Sequence, residues 1–277
     1  MQTLEGKTAA ITGAASGIGR ALAVRLVEQG CSVALSDVDP SGLDETAAMC
    51  QGRGVPVTCK RVDVAVREDV YTWAESVVQS HGKVNLIFNN AGVALGSTVE
   101  SMCWEDMEWL MGVNFWGVVN GTKAFLPHLI ASGAGHVVNV SSVFGLISVP
   151  TQSAYNAAKF GVRGFTDALA MELKVARHPV RATTVHPGGI RTNIVKNARF
   201  DSTILDSVGD TELADGRFQS ISMTSPDRAA RLILTAVRKR RRRVTVGPDA
   251  KLIDLLSRLP ASIYQEALVL GARRELT

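Results

Sequence analysis

Short apolar runs alternate along the chain with longer segments in which apolar residues recur every three or four positions. Short apolar runs are typical of buried strands, and the longer period is typical of amphipathic helices. The pattern predicts strands at 8–12, 32–37, 55–62, 86–89, 135–140, 181–185 and 244–246. It predicts helices at 17–29, 43–50, 66–81, 104–129, 154–175 and 226–240.

The order of these elements predicts the fold class. Successive strands separated by helices form parallel sheets, because a parallel pair needs a long crossover connection. We therefore expect an α/β fold: a doubly wound parallel sheet of the Rossmann type, with helices on both faces. No linker or break in composition divides the sequence, so residues 1–277 are interpreted as a single domain.

Two segments fall outside the alternating pattern. Residues 189–225 form a long insertion before a helix, and such segments commonly act as lids or binding loops. We interpret it as the substrate-binding insertion. The segment 249–277 carries leucines at helical spacing and is predicted to be a helical tail.

Composition describes an ordinary globular chain. Hydrophobic residues make up 46% and charged residues 20%, which argues against disorder. The apolar runs are too short to span a bilayer, and the first strand begins too early to leave room for a signal peptide. These features predict a soluble, cytoplasmic protein.

The positive charge is concentrated in one place. The net charge is +4, but residues 239–243 alone contribute five positive charges, which leaves −1 for the remainder. A nucleic-acid-binding face would spread its charge more widely, so no nucleic-acid partner is expected. A solvated helix end explains the run most simply. Contact of 239–243 with an anionic membrane or an acyl carrier is the alternative.

Nothing in the cysteines or histidines predicts a metal site. The four cysteines have no metal or redox spacing, and the five histidines are scattered. We expect chemistry without a metal.

A glycine-rich turn at 12–19, Thr-Gly-Ala-Ala-Ser-Gly-Ile-Gly, connects the first strand to the first helix. A dinucleotide pyrophosphate binds at this point of a doubly wound sheet, against the helix N-terminus. Many glycines only allow a loop to turn, but the flanking strand and helix favour the functional interpretation. The residues expected to contact the cofactor here are Gly13, Ser16, Gly17, Ile18 and Gly19.

Asp37 ends the second predicted strand, where an acidic side chain binds the adenosine ribose hydroxyls. The same carboxylate would repel a 2′-phosphate, by roughly 4 kcal/mol for charges 4 Å apart near a surface. We therefore predict NAD as the cofactor, with NADP disfavoured. The alternative is a solvated aspartate in a turn. Arg20 lies within the first helix and need not face a phosphate.

Tyr155 and Lys159 are four residues apart near a predicted helix start, so they share a face. A nearby ammonium favours the tyrosinate, and a helix start capped by Ser153 would act in the same direction. Both effects predict a lowered tyrosine pKa, which suits proton transfer. Ser142 follows a strand and could hydrogen-bond a substrate oxygen. A surface tyrosine–lysine pair is the alternative.

Taken together, these motifs resemble the short-chain dehydrogenase/reductase family over nearly the whole chain. The resemblance rests on an ordered set of positions: 12–19, Asp63, the Asn-Asn-Ala-Gly sequence at 89–92, Asn114, Ser142, Tyr155, Lys159, Pro187, Gly188 and Thr192. It implies a NAD(P)-binding domain with strand order 3-2-1-4-5-6-7. It also implies a homo-oligomer, a tetramer or a dimer, built around the helices that hold Asn114 and Tyr155.

The resemblance also implies roles for individual residues. Tyr155 would be the general acid/base, Lys159 its electrostatic partner and a nicotinamide-ribose ligand, and Ser142 the group that orients the substrate oxygen. Asn114 would hold a water that links Lys159 to solvent. The remaining cofactor contacts would come from Asp63 and Val64 at the adenine, Asn89, Ala91 and Gly92 at the floor of the site, and Pro187, Gly188, Ile190 and Thr192 near the carboxamide.

Apolar residues dominate the segments expected to surround the substrate. They are Val93, Leu95, Phe144, Leu146, Ile147, Val149, Ile194, Val195, Phe200, Ile204, Leu205, Val208 and Phe218. If they line the pocket, the substrate is a bulky hydrophobic secondary alcohol or ketone, such as a steroid, terpenoid, fatty-acyl or aromatic compound. They could instead pack in the core or at subunit interfaces.

Two other functions remain open at this stage. One is an NADPH-dependent carbonyl or 3-oxoacyl reductase, and the other is a non-catalytic, NAD-sensing binding protein. The intact set of Ser142, Tyr155 and Lys159 favours an enzyme.

Overall fold

The computed structural model describes residues 3–202, 204 and 210–276, with side chains as far as residue 271. Two predicted pocket residues, Leu205 and Val208, lie outside the described residues. The main sheet has seven parallel strands in the order β3-β2-β1-β4-β6-β7-β9. They are β1 (Thr8–Thr12), β2 (Ser32–Asp37), β3 (Val57–Arg61), β4 (Leu86–Asn89), β6 (Gly135–Val140), β7 (Val180–Pro187) and β9 (Arg243–Val246).

Counted within this sheet alone, the strands follow the order 3-2-1-4-5-6-7, as the family resemblance implies. The doubly wound parallel fold is confirmed. The remaining strands, β5 (Leu95–Gly96) and β8 (Arg199–Phe200), form a small parallel pair apart from the main sheet.

Helices cover both faces of the sheet. They are α1 (Gly17–Val27), α2 (Pro40–Cys50), α3 (Arg67–His81), α4 (Trp104–Met111), α5 (Gly117–Ala131), α6 (Ser153–Val175), α7 (Thr211–Ile221), α8 (Pro226–Arg238), α9 (Pro248–Leu256) and α10 (Ala261–Leu276). No helix among those described has the length and apolarity needed to cross a membrane.

Strand alternation divides the core into two layers. Ile11 of β1 packs in one cluster with Leu22 of α1 and Ile233 of α8. Its neighbour Ala10 packs in the opposite cluster with Phe125 of α5. Because successive residues of a strand point to opposite faces, each apolar strand contributes to both layers.

One predicted helix is interrupted. The expected helix at 104–129 is instead α4 and α5 joined by a π-helical turn at Gly112–Trp116. Such turns insert one extra residue into a helix and are frequent at functional sites. Apolar periodicity does not detect this irregularity, because it changes the local phase by only one residue.

The insertion follows β7 and the tail follows β9, so both begin at the carboxyl ends of the parallel strands. Within 189–225, β8 pairs with β5 and α7 follows. The tail forms α9 and α10, as its leucine spacing predicts. The basic run 239–243 lies where the chain enters β9, at the opposite end of the strands, and the guanidinium of Arg243 pairs with Asp254 of α9.

Candidate active site

A cavity of about 1310 Å³ opens at the carboxyl ends of the strands. Its lining contains most of the residues predicted to form the site: Gly13, Ser16, Gly17, Ile18, Asp37, Asp63, Val64, Ala91, Gly92, Ser142, Tyr155, Lys159, Pro187, Gly188, Ile190 and Thr192. The other three, Gly19, Asn89 and Asn114, lie behind the wall of the cavity.

The glycine turn brings backbone close to backbone. Gly13 has φ +67, and a Cβ at this position would lie 2.8 Å from the Cα of Ala91. Gly17 has φ +54, in the left-handed region that favours glycine. Ser16 precedes α1 in an extended conformation, and its side chain makes no capping hydrogen bond. The first turn of α1 therefore presents backbone N–H groups to the cavity, an arrangement that fits a pyrophosphate.

Gly19 and Asn89 support this wall from behind. A Cβ on Gly19 would overlap the carbonyl oxygen of Gly13, so this glycine lets α1 approach the turn. Asn89 is buried and donates to Thr122 (3.1 Å) and Asn139 (2.8 Å). Gly19 thus lets the turn and α1 pack closely, whereas Asn89 ties the end of β4 to α5 and β6.

Asp37 reaches the cavity with its carboxylate already oriented. Oδ2 accepts from the backbone N–H of Ala15 at 3.0 Å, and Oδ1 accepts from Val38 (2.8 Å) and Asp39 (3.2 Å). The Arg20 guanidinium binds Glu45 at 2.7 Å and Thr46 at 3.0 Å, and it also donates to the carbonyl of Ala15 in the turn. The adenosine end of the cavity is therefore acidic.

Ser142, Tyr155 and Lys159 converge on the floor of the cavity. The Ser142 Oγ accepts from the backbone N–H of Phe144 at 3.1 Å and interacts with the Tyr155 hydroxyl. Lys159 Nζ lies 5.4 Å from the centroid of the Tyr155 ring and donates to the Val140 carbonyl at 3.3 Å. Only 3% of Lys159 is exposed. The fold therefore brings these three side chains together, as the sequence predicts.

The predicted direction of the Tyr155 pKa is wrong for this structure. Burial raises the pKa of Tyr155 to about 12, although the hydrogen bond with Ser142 opposes the shift. Burial also lowers the pKa of Lys159 to about 8. A low-dielectric site disfavours both charged forms, and burial is the largest cause of both shifts. The predicted helix cap is also wrong, because Gln152 precedes α6 and Ser153 is its first residue.

Asn114 sits in the π-helical turn and is fully buried. Its amide binds the backbone of Val93 twice: Nδ2 donates to the carbonyl at 2.8 Å and Oδ1 accepts from the N–H at 2.8 Å. A Cβ on Gly92 would lie 3.2 Å from Asn114 Oδ1 and 3.5 Å from Lys159 Nζ. Asn114 thus fixes the segment that passes over Lys159, while its water-holding role stays a prediction.

Three residues near the site were not identified from the sequence. Asp249 lines the cavity and its Oδ2 accepts from Gly189 N at 2.6 Å. Asn156 fastens the loop after Ser142, donating to Phe144 O (2.7 Å) and Ile147 O (2.9 Å). His186 Nδ1 lies 2.9 Å from the Ser142 carbonyl oxygen. Asp249 is 60 positions from its partner, so no local spacing could reveal it.

The part of the cavity beyond Tyr155 is mainly apolar. Of the predicted pocket residues, it includes Val93, Leu95, Phe144, Val149, Ile194, Val195, Phe200, Ile204 and Phe218. Leu146 and Ile147 are instead buried away from it. Helices α4, α7 and α9 add Trp109, Ala214, Ile221 and Ile253, which the sequence did not identify.

Comparison with known proteins agrees with this geometry. The model of the short chain dehydrogenase family matches residues 7–202. A Mycobacterium tuberculosis protein, SadH, whose name places it among oxidoreductases, is 50% identical over 274 residues, covering 99% of this chain and 98% of its own.

Solved structures share the fold. A short chain dehydrogenase/reductase from Burkholderia phymatum, solved in complex with NAD, has a TM-score of 0.84 at 30% identity and covers 96% of this chain and 97% of its own. A short chain dehydrogenase from Mycobacterium paratuberculosis, bound to NAD, has a TM-score of 0.75 at 26% identity and covers 88% of this chain and 97% of its own.

Proposed function

The chain belongs to the short-chain dehydrogenase/reductase family of oxidoreductases, and we propose that it transfers a hydride between NAD(H) and a bulky, hydrophobic secondary alcohol or ketone. The observation that carries this proposal is the convergence of Ser142, Tyr155 and Lys159 at one end of a long apolar cavity. The other end of that cavity holds the glycine turn and Asp37.

The choice of NAD rests on the adenosine end. Glycine adopts the positive φ of positions 13 and 17 without a steric penalty, so the turn can close tightly and leave space and N–H groups for a pyrophosphate. The Asp37 carboxylate accepts from three backbone N–H groups and suits ribose hydroxyls better than a 2′-phosphate. Arg20, which could have neutralised such a phosphate, is engaged with α2.

NAD, when bound, supplies the hydride acceptor for alcohol oxidation, and its reduced form supplies the hydride for carbonyl reduction. In this mechanism the Tyr155 hydroxyl moves the proton at the substrate oxygen, and Ser142 Oγ hydrogen-bonds that same oxygen. With a pKa raised to about 12, Tyr155 holds its proton at neutral pH, as carbonyl reduction requires. Oxidation requires its release, which the ammonium of Lys159 would favour.

The substrate class follows from the lining of the cavity. Apolar side chains from the insertion, among them Ile194, Phe200 and Phe218, face those that follow Ser142, among them Phe144 and Val149. A site of this kind excludes water from the reacting oxygen and gains affinity from buried apolar area. A large apolar carbon skeleton therefore suits the site better than a small polyol.

The direct test is a panel of secondary alcohols and ketones, graded in size and polarity and assayed by NADH absorbance. We expect kcat/KM to rise with apolar size, and Tyr155→Phe to lower kcat by about 10²- to 10⁴-fold. Preference for small polar alcohols would exclude the proposed substrate class. Turnover with NADPH but not NADH would favour the carbonyl-reductase alternative, and tight NAD binding without any turnover would favour the sensing protein.

A further inference from the structure

Three buried polar atoms share one face of the sheet directly behind Ser142. Thr184 and His186 alternate along β7, so their side chains point to the same side. Arg243 of β9 is the register partner of Thr184, which places its side chain on that side too. Thr184 Oγ1, His186 Nε2 and Arg243 Nε are buried, and none has a hydrogen-bond partner within the described chain.

These atoms are complementary as donors and acceptors. His186 Nδ1 lies 2.9 Å from the Ser142 carbonyl oxygen, which can only accept, so Nδ1 carries the proton. Nε2 of the neutral ring is then an acceptor. Arg243 Nε–H can only donate, and a threonine hydroxyl can do either. Buried polar groups that match in this way and remain unpaired usually bind an ordered water.

The charges around His186 favour its neutral form. Arg243 and Arg163 both act against a second proton on the ring, whereas Asp254 favours one. Burial is the largest influence, and the pKa of His186 is lowered to about 4. The ring therefore keeps one proton, on Nδ1, throughout the neutral range.

Arg243 is itself anchored. Its guanidinium pairs with Asp254 of α9, and Asp254 also binds Arg258 at 3.1 Å. Arg243 therefore joins α9 to the strand position beside Thr184, on the β7 face that also holds His186, and His186 in turn reaches Ser142. Ser142 stands in an extended conformation between β6 and a short 3-10 turn, and its carbonyl accepts from the N–H of Gly145 at 3.0 Å as well as facing His186.

We propose that His186 is a positioning residue for Ser142: its Nδ1–H holds the Ser142 carbonyl, while Arg243 and Thr184 hold its Nε2 through one buried water molecule. The part of this proposal that concerns turnover rests on the function proposed above, because Ser142 acts there on the substrate oxygen. A rotation of the Ser142 peptide would move its Oγ relative to the Tyr155 hydroxyl, and sub-ångström misplacement of such groups is costly to catalysis.

Two substitutions of His186 test the contributions of its two ring nitrogens separately. An asparagine amide nitrogen falls near the position of Nδ1, so His186→Asn keeps the donor to Ser142. A glutamine amide nitrogen falls near Nε2, so His186→Gln loses that donor while it stays polar. We expect His186→Gln to lower kcat by about tenfold or more, with the NAD Kd unchanged, and His186→Asn to keep most of kcat.

The pH profile distinguishes positioning from a general loss of structure. Because the Ser142 hydrogen bond lowers the pKa of Tyr155, a displaced Ser142 should move the Tyr155 limb of the kcat profile to higher pH in His186→Gln. That limb is the basic one for carbonyl reduction and the acidic one for alcohol oxidation. The positioning role would be overturned if the two variants had equal kcat values. It would also be overturned if kcat fell in both variants in proportion to their loss of thermal stability.

A measurement on the wild-type protein needs no turnover. Long-range ¹H–¹⁵N NMR of the five histidines, with His186 assigned from the resonance lost in His186→Asn, reports which ring nitrogen is protonated. We expect the proton on Nδ1 and no titration between pH 5.5 and pH 8. A proton on Nε2, or a midpoint near 6.5, would refute the network even if the enzyme proves active. A protein that oxidises no alcohol but shows the Nδ1 tautomer would refute the proposed function and leave the network standing.

Discussion

Lys159 Nζ lies over the Tyr155 ring, 5.4 Å from its centroid, with the lysine buried and the tyrosine partly exposed at the cavity. Burial moves their pKa values in opposite directions, to about 8 for the lysine and about 12 for the tyrosine. Near pH 7, Tyr155 is therefore neutral and Lys159 still mostly carries its proton, whereas above pH 8 the neutral form of both groups is favoured. This pairing has a consequence for stability as well as for proton transfer.

The contribution of Lys159 to the free energy of unfolding should rise with pH above 8. In the unfolded chain this lysine binds its proton up to about pH 10.5, whereas in the folded protein it loses it near pH 8. The unfolded state therefore binds more protons in this window, and the cost of burying the ammonium is relieved by about 2 kcal/mol between pH 8 and pH 10. Urea unfolding at a series of pH values measures this.

The comparison with Lys159→Met isolates the effect. Two buried thiols act in the opposite direction, since burial raises the pKa of Cys31 to about 12 and of Cys50 to about 11, but they do so in both proteins. The difference between wild type and Lys159→Met should therefore grow with pH. Lys174→Met, at the end of the same helix, is the control and should leave the profile unchanged. Parallel profiles for wild type and Lys159→Met would contradict the burial of the charge.

Asp37→Ala should change the cofactor preference. Without the carboxylate, the ribose hydroxyls of NAD lose a hydrogen-bond acceptor, and the 2′-phosphate of NADP is no longer repelled. That repulsion is at most roughly 4 kcal/mol, and screening by solvent and salt reduces it at this exposed position. We expect the ratio of NADP to NAD affinity to rise at least about tenfold, measured by calorimetry or fluorescence titration. Asp44→Ala, an exposed position on α2, is the matched control. An unchanged ratio in Asp37→Ala would remove the basis for assigning NAD.

Gly19→Ala should be far more damaging than an equivalent helix substitution elsewhere. A Cβ at Gly19 overlaps the Gly13 carbonyl and would force α1 away from the turn, at a cost of about 2 kcal/mol or more. Gly164, within α6, has nothing within 4 Å of its added Cβ. Gly164→Ala should be neutral or stabilise by up to about 1 kcal/mol, because alanine favours helix. Similar unfolding midpoints for the two variants would show that the close approach is not needed.

Asn114→Ala should destabilise the protein by about 2–3 kcal/mol, because it leaves the N–H and carbonyl of Val93 without their partners. Asn114→Asp retains the acceptor for the Val93 N–H and should be less destabilising at low pH, where the carboxyl can also donate to the Val93 carbonyl. Chemical denaturation at pH 5 and pH 8 tests both. If Asn114→Ala has the same denaturant midpoint as the wild type, the two hydrogen bonds between Asn114 and Val93 contribute nothing to stability.

Phe218→Ala should alter substrate selection without altering the chemistry. Phe218 lines the cavity from α7, away from the three reacting side chains. Its truncation should raise KM for large apolar alcohols by about tenfold, from roughly 1.5 kcal/mol of lost burial, and leave small alcohols unaffected. Steady-state kinetics on two substrates of different size measures this. An equal effect on both substrates would place Phe218 outside the binding surface.

Much of this protein could be predicted from local patterns alone. The strands and helices follow from periodicity, and the parallel order follows from their alternation. The glycine turn could be recognised because the positive φ of Gly13 and Gly17 favours glycine. Tyr155 and Lys159 could be paired because four residues make about one turn of a helix. Each of these relationships spans only a few residues, so the sequence itself carries the signal.

What depends on packing could not be predicted. The π-helical turn at Asn114 follows from the two bonds that its amide makes to Val93, 21 positions away. The position of Asp249 at Gly189, and of Arg243 beside His186, depends on where the last strand and α9 dock. The sequence also suggested the wrong direction for the Tyr155 pKa, because spacing reveals a nearby charge but not burial.

The sequence by itself therefore determined the order of the elements, the identity of the phosphate-binding turn and the residues available for proton transfer. The tertiary structure alone decided how deeply Tyr155 and Lys159 are buried and which distant side chains support Ser142 from behind. The physical reason is that conformational preference and periodicity act between neighbours in the chain. Desolvation and hydrogen-bond satisfaction instead depend on every atom that surrounds a group, whatever its position in the sequence.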